Sequence, residues 1–506
     1  MIFRFEETKP MRFFLFLFSW FLAASFQAQR IYCDAINAQI QTLGAFPFGV
    51  ASGDPTPSSF ILVTQLNPFR VTGEATVRCE VSSNRSFLPL LKEFNFVPLA
   101  ADGYALKTEV LGLEENKTYY YRFIYGKDTS LLGKAKTTCL NCSSLKMAVV
   151  SCSNYEWGYF NAYRRIANMD DIDLVVHLGD YIYEHAPGGY GNKDLPRKHI
   201  PDHEIVSMED YRSRYANYRL DPDLQALHAA HSFITIWDDH EIANDAYKEG
   251  AQNHQPEDGD WEERKKNAQK VYFEWLPLKE NPSKSIQRKF EFGNLASMYM
   301  MDERLEARTQ QGKGENDSLR AMLGKSQRDW FLHEMLSDKQ KVWKIWANQV
   351  IFSEVNPPAA VVKASKSKLN TDMWDGYAVE RNTLMDYWIQ HEIKDIVIIT
   401  GDAHVSMGMN LQHQGKKLGI EWVTPSITSA NLNERISTFK AHVVENMFRK
   451  KRLNPQLKHV DLCNHGFMLV ELNEKEAKNT WYYEKTILKP STKKKKSKTL
   501  RWTKDK

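Results

Sequence analysis

The sequence predicts a layered α/β domain preceded by a small all-β sandwich. Three observations carry this. Short apolar runs recur through the middle and end of the chain, each closing on glycine, an acid or another polar residue. Helical stretches separate them, the alternation expected of an α/β sheet. Ahead of residue 145 the runs are instead β-branched and aromatic, bounded by Gly, Pro, Asn and Ser, as in an all-β domain.

The elements follow in order. Met11-Arg12 precedes an apolar run and then Ala23, Ala24 and Ser25, which reads as a signal peptide over residues 1–28, with Met11 as an alternative start. The run is short for a membrane span. Residues 40–140 are the expected all-β domain, with strand-like runs at 60–66, 75–81 and 118–125. The stretch 111–121 resembles the approach to a late strand of a fibronectin type III-like sandwich. Residues 145–487 are the expected α/β domain. Buried strands are expected at 146–151, 174–178, 233–237, 342–352 and 396–400, and helices at 159–169, 208–218, 261–275, 326–336 and 379–391. The runs at 466–472 and 480–485 alternate like a terminal hairpin. Residues 488–506 are lysine-rich and read as a basic disordered tail that could touch anionic surfaces.

Bulk properties exclude several classes. At 506 residues with 42% hydrophobic residues, 13 Trp and 22 Tyr, disorder of the whole chain is excluded. The formal charge of +4 is uneven: residues 489–506 carry nine Lys/Arg against one Asp, so the body is mildly acidic. Nothing in that body forms a nucleic-acid footprint. No segment after the first apolar run is apolar for long enough to span a bilayer. Of six cysteines, Cys139 and Cys142 have the spacing of half a zinc site. No second pair completes it, which leaves a local disulfide or free thiols.

The chemistry lies at strand ends. Open α/β sheets present ligands beyond the carboxyl ends of their strands. Four apolar runs then deliver Cys152; Asp180 and Tyr183; Asp238, Asp239 and His240; and Asp402 and His404. Brought together, these carboxylates would repel strongly at low dielectric. Cations resolve the conflict. A hard trivalent ion suits the Tyr183 phenolate, the Cys152 thiolate and a carboxylate, while calcium or magnesium suits carboxylates alone. Two neighbouring cations would clamp a phosphate and acidify a bound water. His240 could protonate a leaving alkoxide or hold a phosphate oxygen.

The ordered blocks Ser151-Cys152-Ser153-Asn154, His177-Leu178-Gly179-Asp180, Trp237-Asp238-Asp239-His240-Glu241, Met301-Asp302-Glu303-Arg304 and Gly401-Asp402-Ala403-His404 carry a resemblance. With further motifs at 46–55, 348–349 and 375–377, the chain resembles the PhoD-like (alkaline phosphatase D) family of metallophosphoesterases, related in site logic to purple acid phosphatases. The resemblance implies a layered metallophosphoesterase sandwich for the α/β domain. It implies one ferric ion (Fe3+) held by Cys152, Asp180, Tyr183 and His404. It implies one or two calcium ions (Ca2+) held by Asp180, Asp239, Asp402 and Gln349 or Asn348, with other divalent ions as substitutes and Asn244 close by. Arg304 is expected to orient the substrate phosphate bidentately. The implied activity is hydrolysis of phosphate monoesters, diesters or both by a metal-bound hydroxide. Members of the family often use a twin-arginine signal. No Arg-Arg pair precedes the apolar run here, which implies Sec-type export to the periplasm or medium and metal loading outside the cytoplasm.

Three other readings stand beside this one. A phospholipase D-like or cell-wall polymer phosphodiesterase would use aromatic residues near Trp374 against a bulky substrate. A surface-binding module would keep the metals as structure only. Asp238 could serve merely as a brace behind Asp239 and His240. His177, on its apolar strand, reads as a core histidine, and His185, His199 and His203 read as surface residues.

Overall fold

The computed structural model describes residues 31–72, 76–312, 318–365 and 370–504. The expected signal peptide at 1–28 lies outside them.

Two large sheets dominate. The nine-stranded sheet runs in the order Lys498–Thr503, Glu476–Tyr483, Gly466–Asn473, Ser144–Val150, Leu174–His177, Phe233–Thr235, Val50–Gly53, Ser59–Gln65 and Ala105–Leu111. The seven-stranded sheet runs Arg288–Phe292, Ala296–Met300, Trp343–Asn348, Ile396–Thr400, Lys416–Val423, Ser406–His413 and Leu457–Asp461. In the first, Ser144–Val150, Leu174–His177 and Phe233–Thr235 are mutually parallel. In the second, Ala296–Met300, Trp343–Asn348, Ile396–Thr400 and Lys416–Val423 are parallel.

Side-chain alternation fixes the layers. Ile345, Ala347, Val397 and Ile399 share one core with Val149, Val175 and Ile234 of the other sheet. Their sequence neighbours Trp346, Ile396 and Ile398 point the other way, into a second core under helices Gly324–Ser337 and Ala378–Gln390. Strands apolar on both faces are what a parallel sheet covered on both sides requires. Helices Asn161–Ala167, Met208–Arg219, Pro222–Ala230 and Trp261–Trp275 bury Tyr163, Tyr215, Leu224 and Trp275 into the first core. The result is helices, sheet, sheet, helices.

The expected β-sandwich is not self-contained. Strands Val77–Ser82, Lys92–Phe96, Thr118–Tyr125, Asp128–Thr129 and Gly133–Lys136 form a separate five-stranded sheet. Its Val77, Cys79, Tyr121 and Phe123 pack on Val50, Phe60 and Leu62. Those three belong to the end of the nine-stranded sheet, joined through the parallel pairing of Gly53 with Phe233. A Cβ on Gly53 would lie 2.6 Å from the Phe233 carbonyl oxygen and 2.5 Å from that of Pro277, so glycine permits the junction.

The basic tail is ordered at its end, against expectation. Lys498–Thr503 pairs antiparallel with Glu476–Tyr483, Leu500 opposite Asn479 and Trp502 opposite Ala477. Lysine content masked a two-residue alternation: Leu500 and Trp502 lie against the main core while their neighbours face water. Removing residues 498–506 is expected to cost about 2 kcal/mol, the worth of two half-buried large side chains. A fall in the urea midpoint checks this, and an unchanged midpoint would show the strand to be incidental.

Candidate metal centre and active site

Every loop that carries a predicted ligand leaves the same edge of the two sheets. Ser144–Val150 leads to Cys152, Leu174–His177 to Asp180, and Phe233–Thr235 to Asp238 and Asp239. From the facing sheet, Trp343–Asn348 leads to Gln349 and Ile396–Thr400 to Asp402 and His404. The backbone is strained at these turns. Cys152, Asp180, Asp402 and His404 all have left-handed φ, at 60°, 55°, 55° and 54°. Non-glycine residues in sparsely populated conformations typically cost about 1–3 kcal/mol each and gather at functional sites. Gly179, at φ 95°, allows the close contact: a Cβ there would lie 2.4 Å from the Asp238 Cβ.

Three overlapping donor sets result. The ligand atoms of Cys152, Asp180 and His404 lie within 4.8 Å of one another, as do those of Asp180, Asp239 and His240, and those of Asp238, Asp239 and Asp402. Asp180 links the first set to the second, and Asp239 links the second to the third. Tyr183 joins the first: its hydroxyl donates to Asp180 Oδ2 at 3.0 Å and lies 3.3 Å from His404 Nε2. Ser429, which no sequence signal marks, donates to the Tyr183 oxygen at 2.5 Å.

The chemistry of this set calls for cations. Asp180 Oδ1, Asp238 Oδ2 and Gln349 Oε1 are buried acceptors without a donor among the described residues. Each such group costs roughly 1–3 kcal/mol. Burial and then neighbouring carboxylates push Asp180 well above the usual acid range, and burial, Asp372 and Asp238 do the same to Asp402. Burial and the Asp180 charge raise the Cys152 thiol and the Tyr183 phenol. His404 is pushed down to about 3, by burial first and then by Arg435 and His240, so its ring is neutral and able to ligate. Positive ions at these oxygens reverse the acid shifts and favour thiolate and phenolate. The residues present therefore fit a mixed hard-metal centre.

The side chains around the sets hold them in place. Glu241 accepts from the backbone N–H groups of Asp180 at 3.0 Å, of Asp238 at 2.8 Å, and of Tyr181, tying two ligand loops together. The Gln349 amide donates to the Trp237 and Met301 carbonyls at 3.2 and 3.1 Å, which orients its bare oxygen. Glu184 lies 2.6 Å from His240 Nδ1. Burial opposes the charged ring, but Glu184, Asp239 and Asp180 hold His240 well above its ordinary value.

Several expectations change. Arg304 is fully buried, with Nε on Asp238, one terminal nitrogen 2.7 Å from Asp372 and the other 3.5 Å from Asp402. Asp239 is 3.6 Å away. Its guanidinium thus lies among four carboxylates, two held closely and two at 3.5 and 3.6 Å. Asn244 lies beside the site, its amide bonded to Gln252 at 2.9 Å and its N–H to Glu184. Asn348 donates its amide to the Val350 carbonyl and Thr400, and its own Oδ1, like the Gln349 Oε1, is a buried acceptor without a donor among the described residues. His199 is buried against Tyr218 at 3.1 Å, not exposed. Trp374 packs within the second core, 5.6 Å from Trp346 and 5.2 Å from Phe352, and offers no wall for a bulky substrate. His177 is core as expected, 3.0 Å from the Tyr163 hydroxyl. Cys139 and Cys142 form a disulfide.

Known proteins agree with this architecture. The PhoD-like phosphatase family profile matches residues 147–481, and the profile of the PhoD-like phosphatase N-terminal domain matches 34–139. Alkaline phosphatase D of Bacillus subtilis (strain 168) is 34% identical over 436 residues, 79% of this chain and 73% of that protein. The solved structure of PhoD superposes with a TM-score of 0.81 at 29% identity, covering 91% of each chain. These matches overturn the reading of a binding module with purely structural metals. The chain belongs to the PhoD-like phosphatase family and is a phosphoric ester hydrolase.

Proposed function

We propose that this chain is an exported, metal-dependent phosphoesterase that cleaves phosphate monoesters, diesters or both. The carrying observation is the pair of donor sets that share Asp180. We assign Cys152, Asp180, Tyr183 and His404 to a ferric ion, and Asp180, Asp239, Asp402 and Gln349 to calcium. The donor types support this division: thiolate, phenolate and imidazole on one side, oxygen donors alone on the other. Such ions, when bound, supply Lewis acidity toward phosphoryl oxygens and lower the pKa of water.

The residues do the rest. Ser429 donates to the Tyr183 oxygen and so favours its phenolate. Glu184 takes His240 Nδ1, which leaves Nε2 as the nitrogen for a reacting group. A protonated His240 then donates from Nε2 to a phosphoryl oxygen or passes that proton to the departing alkoxide. Arg304 offsets charge among Asp238, Asp372 and Asp402, keeping the carboxylates close enough to share ions. Export is supported by the apolar leader and by the Cys139–Cys142 disulfide, a bond favoured in oxidising compartments. Among the described residues no helix is long and apolar enough to cross a membrane.

Hydrolysis of p-nitrophenyl phosphate and bis-p-nitrophenyl phosphate, with and without calcium and chelator, tests the reading. Chelation is expected to lower kcat/KM on the order of 10^3-fold, since metal Lewis acidity supplies several kcal/mol at about 1.36 kcal/mol per tenfold. Turnover should return with iron and calcium. Metal-replete protein that turns over neither compound would sink the proposal. A visible charge-transfer band that Tyr183→Phe removes would support the ferric assignment. A colourless active protein whose Cys152→Ala form keeps its metals refutes it.

A further inference from the structure

The parallel strands of the seven-stranded sheet have a second end, opposite the catalytic loops, and a cavity of about 430 Å3 opens there. Lysines from four separate segments line it: Lys341 and Lys344, Lys394, Lys416 and Lys417, and Lys504. Lys344 is the second residue of Trp343–Asn348, Lys416 opens Lys416–Val423, and Lys504 follows the terminal strand. Against these and Lys339 the lining offers two acids, Glu392 and Asp395. Both are already engaged, Glu392 with Lys339 at 3.2 Å and Asp395 with Lys504 at 3.5 Å.

Lys344 is the informative member. It is 2% exposed, yet its ammonium has no carboxylate within 4.0 Å among the described residues and donates only to the Lys341 carbonyl at 3.1 Å. Buried lysines are ordinarily paired. Burial, set against Asp395 and reinforced by Lys504, pushes this one down to about 8. Trp388 also contributes to the wall. A buried ammonium met by one backbone carbonyl and no carboxylate, in a cavity lined by further lysines of which Lys341 is paired with Glu291 at 3.0 Å, describes a receptor for an oxyanion.

We propose that this cavity binds phosphate groups, separately from the catalytic centre, either as the free ion or carried along a chain. Its volume falls within the usual range for ligand sites and exceeds the needs of a single phosphate, which favours several linked groups. The same chemistry that the catalytic edge cleaves would thus be held at the opposite edge. The inference stands on the cavity alone and does not depend on which metals the centre holds.

The test uses the full metal-loaded chain with free calcium clamped by a buffer. End-labelled inorganic polyphosphate is titrated by fluorescence anisotropy and orthophosphate by calorimetry. Wild type is compared with Lys344→Met and with the double variant Lys394→Glu/Lys416→Glu. Lys344→Met removes a buried charge and so keeps the fold. Wild type is expected to bind polyphosphate in a salt-dependent way, and the double variant at least about 30-fold more weakly. Lys344→Met should weaken binding about tenfold, with p-nitrophenyl phosphate turnover unchanged in all three. Orthophosphate binding that weakens in the same variants identifies the free ion as ligand; weakening for polyphosphate alone identifies the chain. Equal binding by wild type and both variants, or no binding of either anion by wild type, overturns the site.

Discussion

Asp180→Asn is expected to lower kcat/KM on the order of 10^3-fold or more and to strip metal from the protein. Asp180 is the residue common to two donor sets, so its loss disturbs both at once. Losing shared Lewis acidity forfeits several kcal/mol of transition-state stabilisation. At about 1.36 kcal/mol per tenfold this gives the stated factor. The same substitution should act in the opposite sense on the metal-free fold. There Asp180 is raised well above the usual acid range, by burial first and neighbouring acids second. A group raised in the folded state contributes stability at low pH that is lost as pH rises through the folded value. At neutral pH its charge is therefore a cost, and asparagine relieves it. Chelated Asp180→Asn should melt above chelated wild type, whereas the metal-replete order should reverse. Metal content and thermal melts, with and without chelator, report both halves. An asparagine variant that keeps two metals and normal kcat would refute the shared role.

Glu241→Ala is expected to cost about 3–5 kcal/mol of stability, the largest loss foreseen for a single side chain here. The substitution leaves three backbone N–H groups without their acceptor, those of Asp180, Tyr181 and Asp238. Each orphaned donor costs roughly 1–3 kcal/mol, less where water enters the space. In metal-free protein the loss should depend on pH. Burial, with Asp238 adding to it, raises Glu241 to about 8. Its stabilising contribution is complete below the ordinary acid range and fades as pH rises through about 8. The gap between wild type and Glu241→Ala should therefore narrow between about pH 5 and pH 8.5. Glu241→Gln keeps a neutral acceptor and should retain most of the stability at both. Urea unfolding of the three proteins at the two pH values gives the comparison, and a gap that widens with pH would contradict the account.

The parts of the site that the sequence discloses share one trait. Asp180, Asp239, Asp402 and Cys152 each follow an apolar run that can only be a buried strand, so their placement at a sheet edge follows from the fold class. Tyr183 and His404 are read through their nearness in sequence to those acids. What the sequence hides depends on partners far along the chain. The burial of Arg304 requires Asp372 and Asp402, 68 and 98 residues away. The Ser429 bond to Tyr183 spans 246 residues and has no local pattern. Glu241 looks like one more acid in an acidic block until its carboxylate is seen beneath two loops. The terminal strand was obscured for another reason: four consecutive lysines from Lys493 dominate its neighbourhood, although Leu500 and Trp502 carry the strand signal. Fusion of the small sandwich to the main sheet turns on one glycine contact, Gly53 with Phe233, which composition does not disclose.

The order of the nine-stranded sheet also sets a timetable for synthesis. Ser144–Val150, which presents Cys152, is flanked on one side by Leu174–His177, made soon after it, and on the other by Gly466–Asn473. More than three hundred residues must be translated before that second neighbour exists. The sheet then grows outward in the order the ribosome supplies it, through Glu476–Tyr483 to Lys498–Thr503. Contacts of such long sequence separation form slowly, and an unfilled strand edge stays open meanwhile. The Cys152 loop is thus framed on both sides only once Gly466–Asn473 has been made. On the proposed ligand assignment, metal uptake at Cys152 would follow synthesis of Gly466–Asn473, and a chain truncated before residue 466 would carry every proposed ligand in its sequence without the sheet that sets them.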